Sequence, residues 1–270
     1  MPELPEVEVT KRGLAEPLQG ARIVAIRLGK PLRWPLGVAD AALVGQQVYQ
    51  VQRRGKYIVL VLAQGVLLIH LGMSGSLQWA QQPPSPGPHD HVDLVTDRGV
   101  LRLHDPRRFG AVVWSADLQS GMAAKLLAPL GMEPLTEDFT VERFTEGLKR
   151  SRMAIKQLLL GGRLVVGVGN IYASEVLFLA GIAPTKAANR VTKVQAQRLH
   201  AAIQQVLARA IELGGSTLRD FVHVDGYAGA FQAQANVYGR AGQPCTNCGR
   251  AIALFKQGQR STYYCSYCQK

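Results

Sequence analysis

Two places in this sequence carry residues whose types and spacing could do chemistry. Cys245, Cys248, Cys265 and Cys268 are the only cysteines, set as Cys-x-x-Cys, sixteen residues, Cys-x-x-Cys. Each Cys-x-x-Cys turn can aim two thiolates at one point, and sixteen residues suffice for a β-hairpin, so the spacing fits a tetrahedral zinc site. Two disulfides in a secreted protein would use the same cysteines, but a chain of 270 residues can bury a core that needs no staples. The second place is Met1-Pro2-Glu3-Leu4-Pro5-Glu6. An initiator Met is normally removed before a small residue such as proline, which would leave a secondary amine at Pro2. An α-amino group has a pKa of about 8, so far more of it is free base at neutral pH than of a lysine. Such an amine attacks carbonyl-like carbons and forms Schiff bases. Glu3, covalently next to it, could donate a proton. Composition alone favours a plainer reading of this segment, a disordered proline-rich leader.

The elements that must position these groups change in texture along the chain. After an acidic start, Glu6 to Leu18 has apolar residues at Val7, Leu14 and Leu18 and predicts a first helix. From Ala21 to Trp114 short β-branched runs alternate with Gly, Pro and Asp-Arg-Gly turns: 23–26, 48–51, 57–62, 66–70, 92–95, 100–103 and 111–114. That many short strands predict a β-sandwich or barrel. Past Pro129 to Pro134 the pattern turns helical, over 141–149, 154–160, 171–180 and 193–213. Leu199, Ile203, Val206, Leu207 and Ala210 form a core stripe in the last helix, which Gly214-Gly215 ends. Ser216 to Tyr238 is rich in Gly and Ala and reads as a mobile loop.

Lys and Arg number 31 against 19 Asp and Glu, a formal net charge of +12, which favours a polyanionic partner. Hydrophobic residues make up 47%, enough for real cores rather than disorder. No apolar run reaches transmembrane length, and the acidic start is not a signal peptide, so a reducing, cytoplasmic setting away from any membrane is expected.

Six ordered motifs join the cysteine quartet and the Met-Pro-Glu-Leu-Pro-Glu opening. They are Gln52-Arg53-Arg54-Gly55-Lys56-Tyr57, His70-Leu71-Gly72-Met73-Ser74-Gly75, His89-Asp90-His91-Val92-Asp93, Asp105-Pro106-Arg107-Arg108-Phe109-Gly110, Ala154-Ile155-Lys156 and Val165-Val166-Gly167-Val168-Gly169-Asn170-Ile171-Tyr172-Ala173-Ser174-Glu175. In this order, and spanning the whole chain, the set resembles the bacterial formamidopyrimidine-DNA glycosylases. The resemblance implies an α+β fold: an N-terminal β-sandwich with flanking helices (1–133), a helix-two-turn-helix region with a lesion loop (134–235) and a zinc-finger β-hairpin (236–270). It implies a monomeric base-excision-repair enzyme in the bacterial nucleoid. Its partner would be damaged double-stranded DNA, and its one cofactor a structural zinc ion.

By the same resemblance, Pro2 attacks the sugar C1′ of a flipped nucleotide carrying 8-oxoguanine or a formamidopyrimidine, and Glu3 protonates the sugar ring oxygen. β,δ-Elimination follows, with Lys56 serving as an acid and Arg260 acting at a neighbouring phosphate. Lys56, His70 and Asn170 grip the backbone. Met73, Arg107 and Phe109 fill the gap left by the flipped base, and His89 contacts DNA. Ser151 stands where the family often has a DNA-binding lysine, flanked here by Arg150 and Arg152, and Gly161-Gly162 replaces a more polar helix end. Two alternatives remain: an endonuclease VIII-like enzyme for oxidised pyrimidines, against which Leu4 argues, and a non-catalytic zinc-finger DNA-binding protein.

Overall fold

The computed structural model describes residues 1–216 and 230–270. It divides into two compact units, one built from Met1–Pro129 with Ser216, the other from Leu130–Gly215 and Ala230–Lys270. The loop expected over Ser216 to Tyr238 lies mostly outside the described residues; within the described part, Phe231–Gln234 is a short 3-10 turn.

The first unit opens with α1, Leu4–Leu18. It begins two residues before the periodicity predicts, because a proline in the first turn forfeits only an N–H that has no helical partner. Val7, Leu14 and Leu18 are buried along one face. Eight strands follow: β1 Ile23–Leu28, β2 Val48–Arg54, β3 Tyr57–Leu62, β4 Val66–His70, β5 Ser76–Ala80, β6 Asp90–Thr96, β7 Gly99–His104 and β8 Ala111–Ser115. They form two antiparallel sheets, ordered β1-β6-β7-β5 and β2-β3-β4-β8. Alternate residues of both sheets, among them Ile23, Leu94, Leu101 and Leu103 from one and Ile58, Leu60, Leu67 and Ile69 from the other, pack with α1 into a single core. The opposite face of the second sheet is also covered. Val59, Leu68, Ala111 and Val113 bury against Ala123 of α2, Gly121–Leu127. Strands covered on both faces read as continuous apolar runs, as β3 and β4 do.

The first sheet carries a row of charges opposite its core face. Asp93 of β6 lies across from Arg27 of β1 and Arg102 of β7. Arg102 grips both Asp93 oxygens at 2.8 and 2.9 Å, and Arg27 Nε reaches Oδ2 at 2.8 Å. Burial alone would push the Asp93 carboxyl up, but the hydrogen bonds from Arg102 and Arg27 outweigh it and hold the carboxyl below its usual range.

The second unit contains α3 Val141–Lys149, α4 Ile155–Leu160, α5 Asn170–Ala180 and α6 Lys193–Glu212, then the hairpin β9 Ala253–Gln257 and β10 Arg260–Tyr264. Helix α5 is buried on nearly every side, which explains its apolar sequence without a polar stripe. Its one carboxylate, Glu175, is 1% exposed and accepts from the Asn236, Val237 and Tyr238 backbone N–H groups and from Asn236 Nδ2, at 2.8–3.0 Å. A buried charge satisfied by several donors is held in place, not merely tolerated.

Asp93→Ala should destabilise the first unit by about 1–3 kcal/mol, since it takes the best hydrogen bonds from a buried Arg102 and leaves it Asp90, at 3.5 Å, and the Pro84 carbonyl. Because the folded-state pKa of Asp93 lies below the unfolded value of about 3.9, its contribution is present above that value and disappears as pH falls through the lowered one. Urea denaturation of wild type and variant at pH 7 and pH 3 should therefore show the gap between them narrowing in acid.

Candidate active site

Pro2 and Glu3 sit at the head of α1. Both are buried, Glu3 at 2% exposure. Glu3 is the N-cap, and it forms a capping box with Glu6: the Glu3 carboxylate accepts from the Glu6 N–H, and Glu6 Oε2 accepts from the Glu3 N–H at 2.8 Å. Glu6, fully buried, also accepts the Ser216 N–H on Oε1 at 2.8 Å. One carboxylate thus ties the head of the helix to the last described residue before 217–229. Sequence reasoning treated Glu6 only as part of a motif, because its partner lies 210 residues away.

Lys56 occupies the turn between β2 and β3. Arg54 pairs with Tyr57, so Gly55-Lys56 is a two-residue hairpin loop, with Gly55 at φ +58°. Glycine in the first position of such a loop suits the twist of the flanking strands. Tyr57 pairs in turn with His70 across β3 and β4, and their rings are 4.8 Å apart. His70 Nδ1 accepts the Gly72 N–H at 3.0 Å, which leaves Nε2 of the neutral ring to carry the proton. Burial, and then the positive charges of Lys56 and Arg33, lower the His70 pKa to about 4, with Asp105 opposing. At neutral pH His70 is an uncharged donor beside two cations.

Met73, Arg107 and Phe109 lie on two loops that touch. Gly72, at φ +66°, leaves no room for a side chain: a Cβ would collide with the Phe109 and Gly110 backbone. Asp105 knits the loops together. It is fully buried; Oδ1 accepts from Ser74 Oγ at 2.9 Å and the Arg107 N–H at 3.2 Å, and Oδ2 accepts from the Gly110 N–H at 2.7 Å. The resulting turn projects Phe109, which is 46% exposed, with the Arg107 guanidinium 4.9 Å from its ring centre. Arg108 takes a positive φ of +56°, an uncommon state for a residue other than glycine. Met73 is half-buried, and His89 is exposed with its ring edge-on to His104 at 5.9 Å.

In the second unit, Arg260 is the first residue of β10. It follows Gly258 and Gln259, both at positive φ, in another two-residue turn, and is exposed. The Ser261 carbonyl accepts from Lys156 Nζ at 2.9 Å and from Asn170 Nδ2 at 3.0 Å, and Thr262 Oγ1 accepts from Lys156 at 2.8 Å. Asn170 and Arg260 are thereby brought together, and the fully buried Lys156 does the tying. Asn170 is the first residue of α5, after Gly169. Ser151 follows Arg150, the C-cap of α3. Its hydroxyl accepts the Met153 N–H at 3.3 Å and its carbonyl the Asn189 N–H at 2.9 Å, so it closes the turn after α3.

None of the cysteines is in a disulfide. Their four sulfurs lie within 4.8 Å of one another, with 4.0 Å from Cys245 to Cys268 and 3.5 Å from Cys248 to Cys265. Sulfurs about 2.3 Å from a tetrahedral zinc would be about 3.8 Å apart, so this donor set fits one zinc ion. Four thiolates leave no position for water or substrate, which makes the metal structural.

Two measurements test this geometry. An NMR titration should find the His70 imidazole titrating near 4, with Lys56→Ala moving it upward. Since the folded value is below the unfolded one of about 6.5, this residue's contribution to stability should fall as pH drops through that window. Asp105→Asn should cost about 1–3 kcal/mol in urea denaturation and strip hydrogen-exchange protection from the Gly110 N–H.

Comparison with known proteins agrees with this arrangement. The formamidopyrimidine-DNA glycosylase N-terminal domain matches residues 1–112, that family's H2TH domain matches residues 130–222, and a zinc finger found in FPG and IleRS matches residues 242–270. A formamidopyrimidine-DNA glycosylase of Acidovorax sp. (strain JS42) is 62% identical over 270 residues, covering 100% of both chains. The crystal structure of MutM (Fpg) from Thermus thermophilus superposes with a TM-score of 0.90 at 40% identity, over 99% of this chain and 98% of that one. A Lactococcus lactis Fpg variant in complex with DNA containing Fapy-dG gives a TM-score of 0.92 at 35% identity, over 100% of both chains. With its motifs, fold and full length all matched, the chain belongs to the formamidopyrimidine-DNA glycosylase family.

Proposed function

We propose that this protein is a bifunctional DNA glycosylase and abasic-site lyase that removes oxidised purines from duplex DNA. The observation that carries the reading is the Pro2-Glu3 pair, buried and aimed by the capping box at the head of α1. Once Met1 is removed, the Pro2 nitrogen lone pair forms a bond to C1′, and the bond from C1′ to the damaged base breaks as the base leaves with its electron pair. The Pro2 nitrogen gives up its own proton to the Glu3 carboxylate, which passes it to the ring oxygen; the C1′–O bond breaks with its electrons going to that oxygen, and the nitrogen lone pair closes the iminium. The iminium acidifies the neighbouring C–H, so loss of that proton expels one flanking phosphate, and a second elimination expels the other. Lys56 assists as an acid in elimination, and Arg260 pairs with a phosphate beside the lesion, where its planar fork binds bidentately. No step passes through the zinc, whose part is to hold the β9–β10 hairpin.

Lys56, His70 and Asn170 grip phosphates; Met73, Arg107 and Phe109 occupy the space the flipped nucleotide vacates, a task suited to an exposed ring and a flexible side chain. The exposed His89 adds a DNA contact. At position 151 the cationic contact passes to Arg150 or Arg152. The division into parts at about residues 133 and 235, a 1:1 monomer–duplex complex and a place beside chromosomal DNA belong to the same reading. Leu4 favours oxidised purines over oxidised pyrimidines.

Borohydride should trap a covalent adduct between the Met-processed protein and an 8-oxoguanine·cytosine duplex, at far higher yield than with a thymine glycol duplex. Absence of any adduct, or binding without nicking, would overturn the catalytic reading. Cys248→Ser, or zinc removal by a chelator, should abolish duplex binding while the β-sandwich still melts at its wild-type temperature. Loss of the sandwich transition would show that the metal does more than hold the hairpin.

A further inference from the structure

The exposed His89 is assigned above to DNA, yet an exposed imidazole turns among several rotamers unless a fixed neighbour selects one. Its backbone is already held. The His89 carbonyl accepts the Asp105 N–H at 2.8 Å, and the Asp90 carbonyl that follows accepts from Arg27 at 3.0 Å. What remains to be fixed is the ring. Beside it stands the ring of His104, at right angles, with the two centres 5.9 Å apart. That separation lies within the range of an edge-to-face pair.

His104 closes β7 and lies opposite Asp90 of β6. The register slips by one residue between Asp90 and Val92, so His91 is an extra residue in β6. Side chains alternate along a strand, and Asp90 and Asp93, three apart, would face opposite ways in a regular one. The bulge returns them to one face, where Asp93 meets Arg102 and Asp90 meets His104. Asp90 Oδ1 lies 2.8 Å from His104 Nδ1, Oδ2 accepts the Gly87 N–H at 2.7 Å, and Arg102 stands 3.5 Å from Oδ2. Burial would raise the Asp90 carboxyl, but the Gly87 N–H, the His104 ring and the Arg102 charge outweigh it and hold the group below its usual range. An ionised carboxylate only accepts, so His104 Nδ1 carries a proton and donates it, which fixes the ring.

The same carboxylate anchors the approach to His89. Residues 82–88 include Pro83, Pro84, Pro86 and Pro88, none of which has an N–H to give to a hairpin ladder. Side chains of the sheet hold this loop instead: Asp90 takes the Gly87 N–H, and Arg102 donates to the Pro84 carbonyl at 2.8 Å. We propose that Asp90 and His104 are positioning residues for duplex binding: Asp90 holds the His104 ring, and that ring selects the rotamer from which His89 meets DNA. The proposal rests on the reading that gives His89 to DNA. A side chain already in its bound rotamer escapes the cost of being immobilised, which is worth about two- to tenfold in affinity.

The test uses the full-length zinc-loaded protein and a duplex carrying a tetrahydrofuran abasic analogue, so that fluorescence anisotropy reads affinity without chemistry. His104→Ala should weaken binding about two- to tenfold, and His89→Ala at least as much. The double variant should bind no more weakly than His89→Ala alone, because His104 acts through His89. Full additivity would overturn the proposal, as would wild-type affinity in His104→Ala where His89→Ala is weakened. Unchanged affinity in His89→Ala would remove the assignment of His89 to DNA and the proposal with it, while the borohydride adduct decides the catalytic reading by itself. A second measurement needs no variant to fold. NMR couplings across the His89 side chain of the free wild-type protein should show one dominant χ1 rotamer, and those of His104→Ala an average. Averaging in the wild type would overturn the proposal, and so would a single rotamer that persists in His104→Ala.

Discussion

The backbone nitrogen of Pro2, the nucleophile of the proposed reaction, cannot be swung into place by a side-chain rotation. Only the fold of the residues after it can aim it, and in this protein that falls to Glu3 and Glu6. The capping box satisfies N–H groups at the start of α1 that would otherwise lack partners, and it does so with two buried carboxylates. Leu4 and Val7 lie in the core beneath, so the helix cannot slide without opening apolar packing. Glu8, one turn on, accepts from Arg53 of β2 at 2.8 Å and from Arg12 at 2.9 Å. Burial would raise the Glu8 pKa, yet those hydrogen bonds overcome it and keep the carboxyl ionised. Arg53 also donates to the Gly55 carbonyl at 2.9 Å, so the turn that presents Lys56 hangs from the same helix that presents Pro2.

The second unit solves its own positioning problem with different chemistry. A two-stranded hairpin is marginal alone, and here it is held at its base by four thiolates and along β10 by Lys156 and Asn170. Gly258 at the tip, at φ +52°, stands against the end of the Gln157 side chain, whose amide donates to the Gln257 carbonyl at 3.2 Å. Arg260 is thus an exposed side chain on a backbone fixed from both directions.

Much of this was legible from local pattern. Runs 57–62 and 66–70 are strands over those very residues, and helix 141–149 has its predicted bounds, because β-branched runs and helical periodicity are properties of neighbours in sequence. Strand β5, Ser76–Ala80, and helix α2, Gly121–Leu127, escaped notice. The first has only Leu77 and Trp79 for pattern beside a glycine-rich loop, and the second is two turns long and starts at a glycine. The cysteine quartet was readable because zinc imposes a spacing. The roles of Glu6, Asp105, Lys156 and Glu175 were not, since each is defined by partners far along the chain, up to 210 residues away for Glu6. Met73 and Phe109 on sequence alone read more naturally as core. The ring of Phe109 stays outside because Asp105 folds its turn outward.

The cluster around His70 shows how such a site can be charged without being unstable. Lys56 and Arg33 already repel one another's field there, and a protonated His70 would add a third cation. By staying neutral His70 contributes a donor and none of the repulsion, and Gly72 fixes which nitrogen holds the proton. In the proposed reading, a phosphate entering this cluster would cancel the repulsion and gain a hydrogen bond from a donor already in position. On that reading charge comes from the neighbouring cations and direction from the neutral histidine at the end of β4.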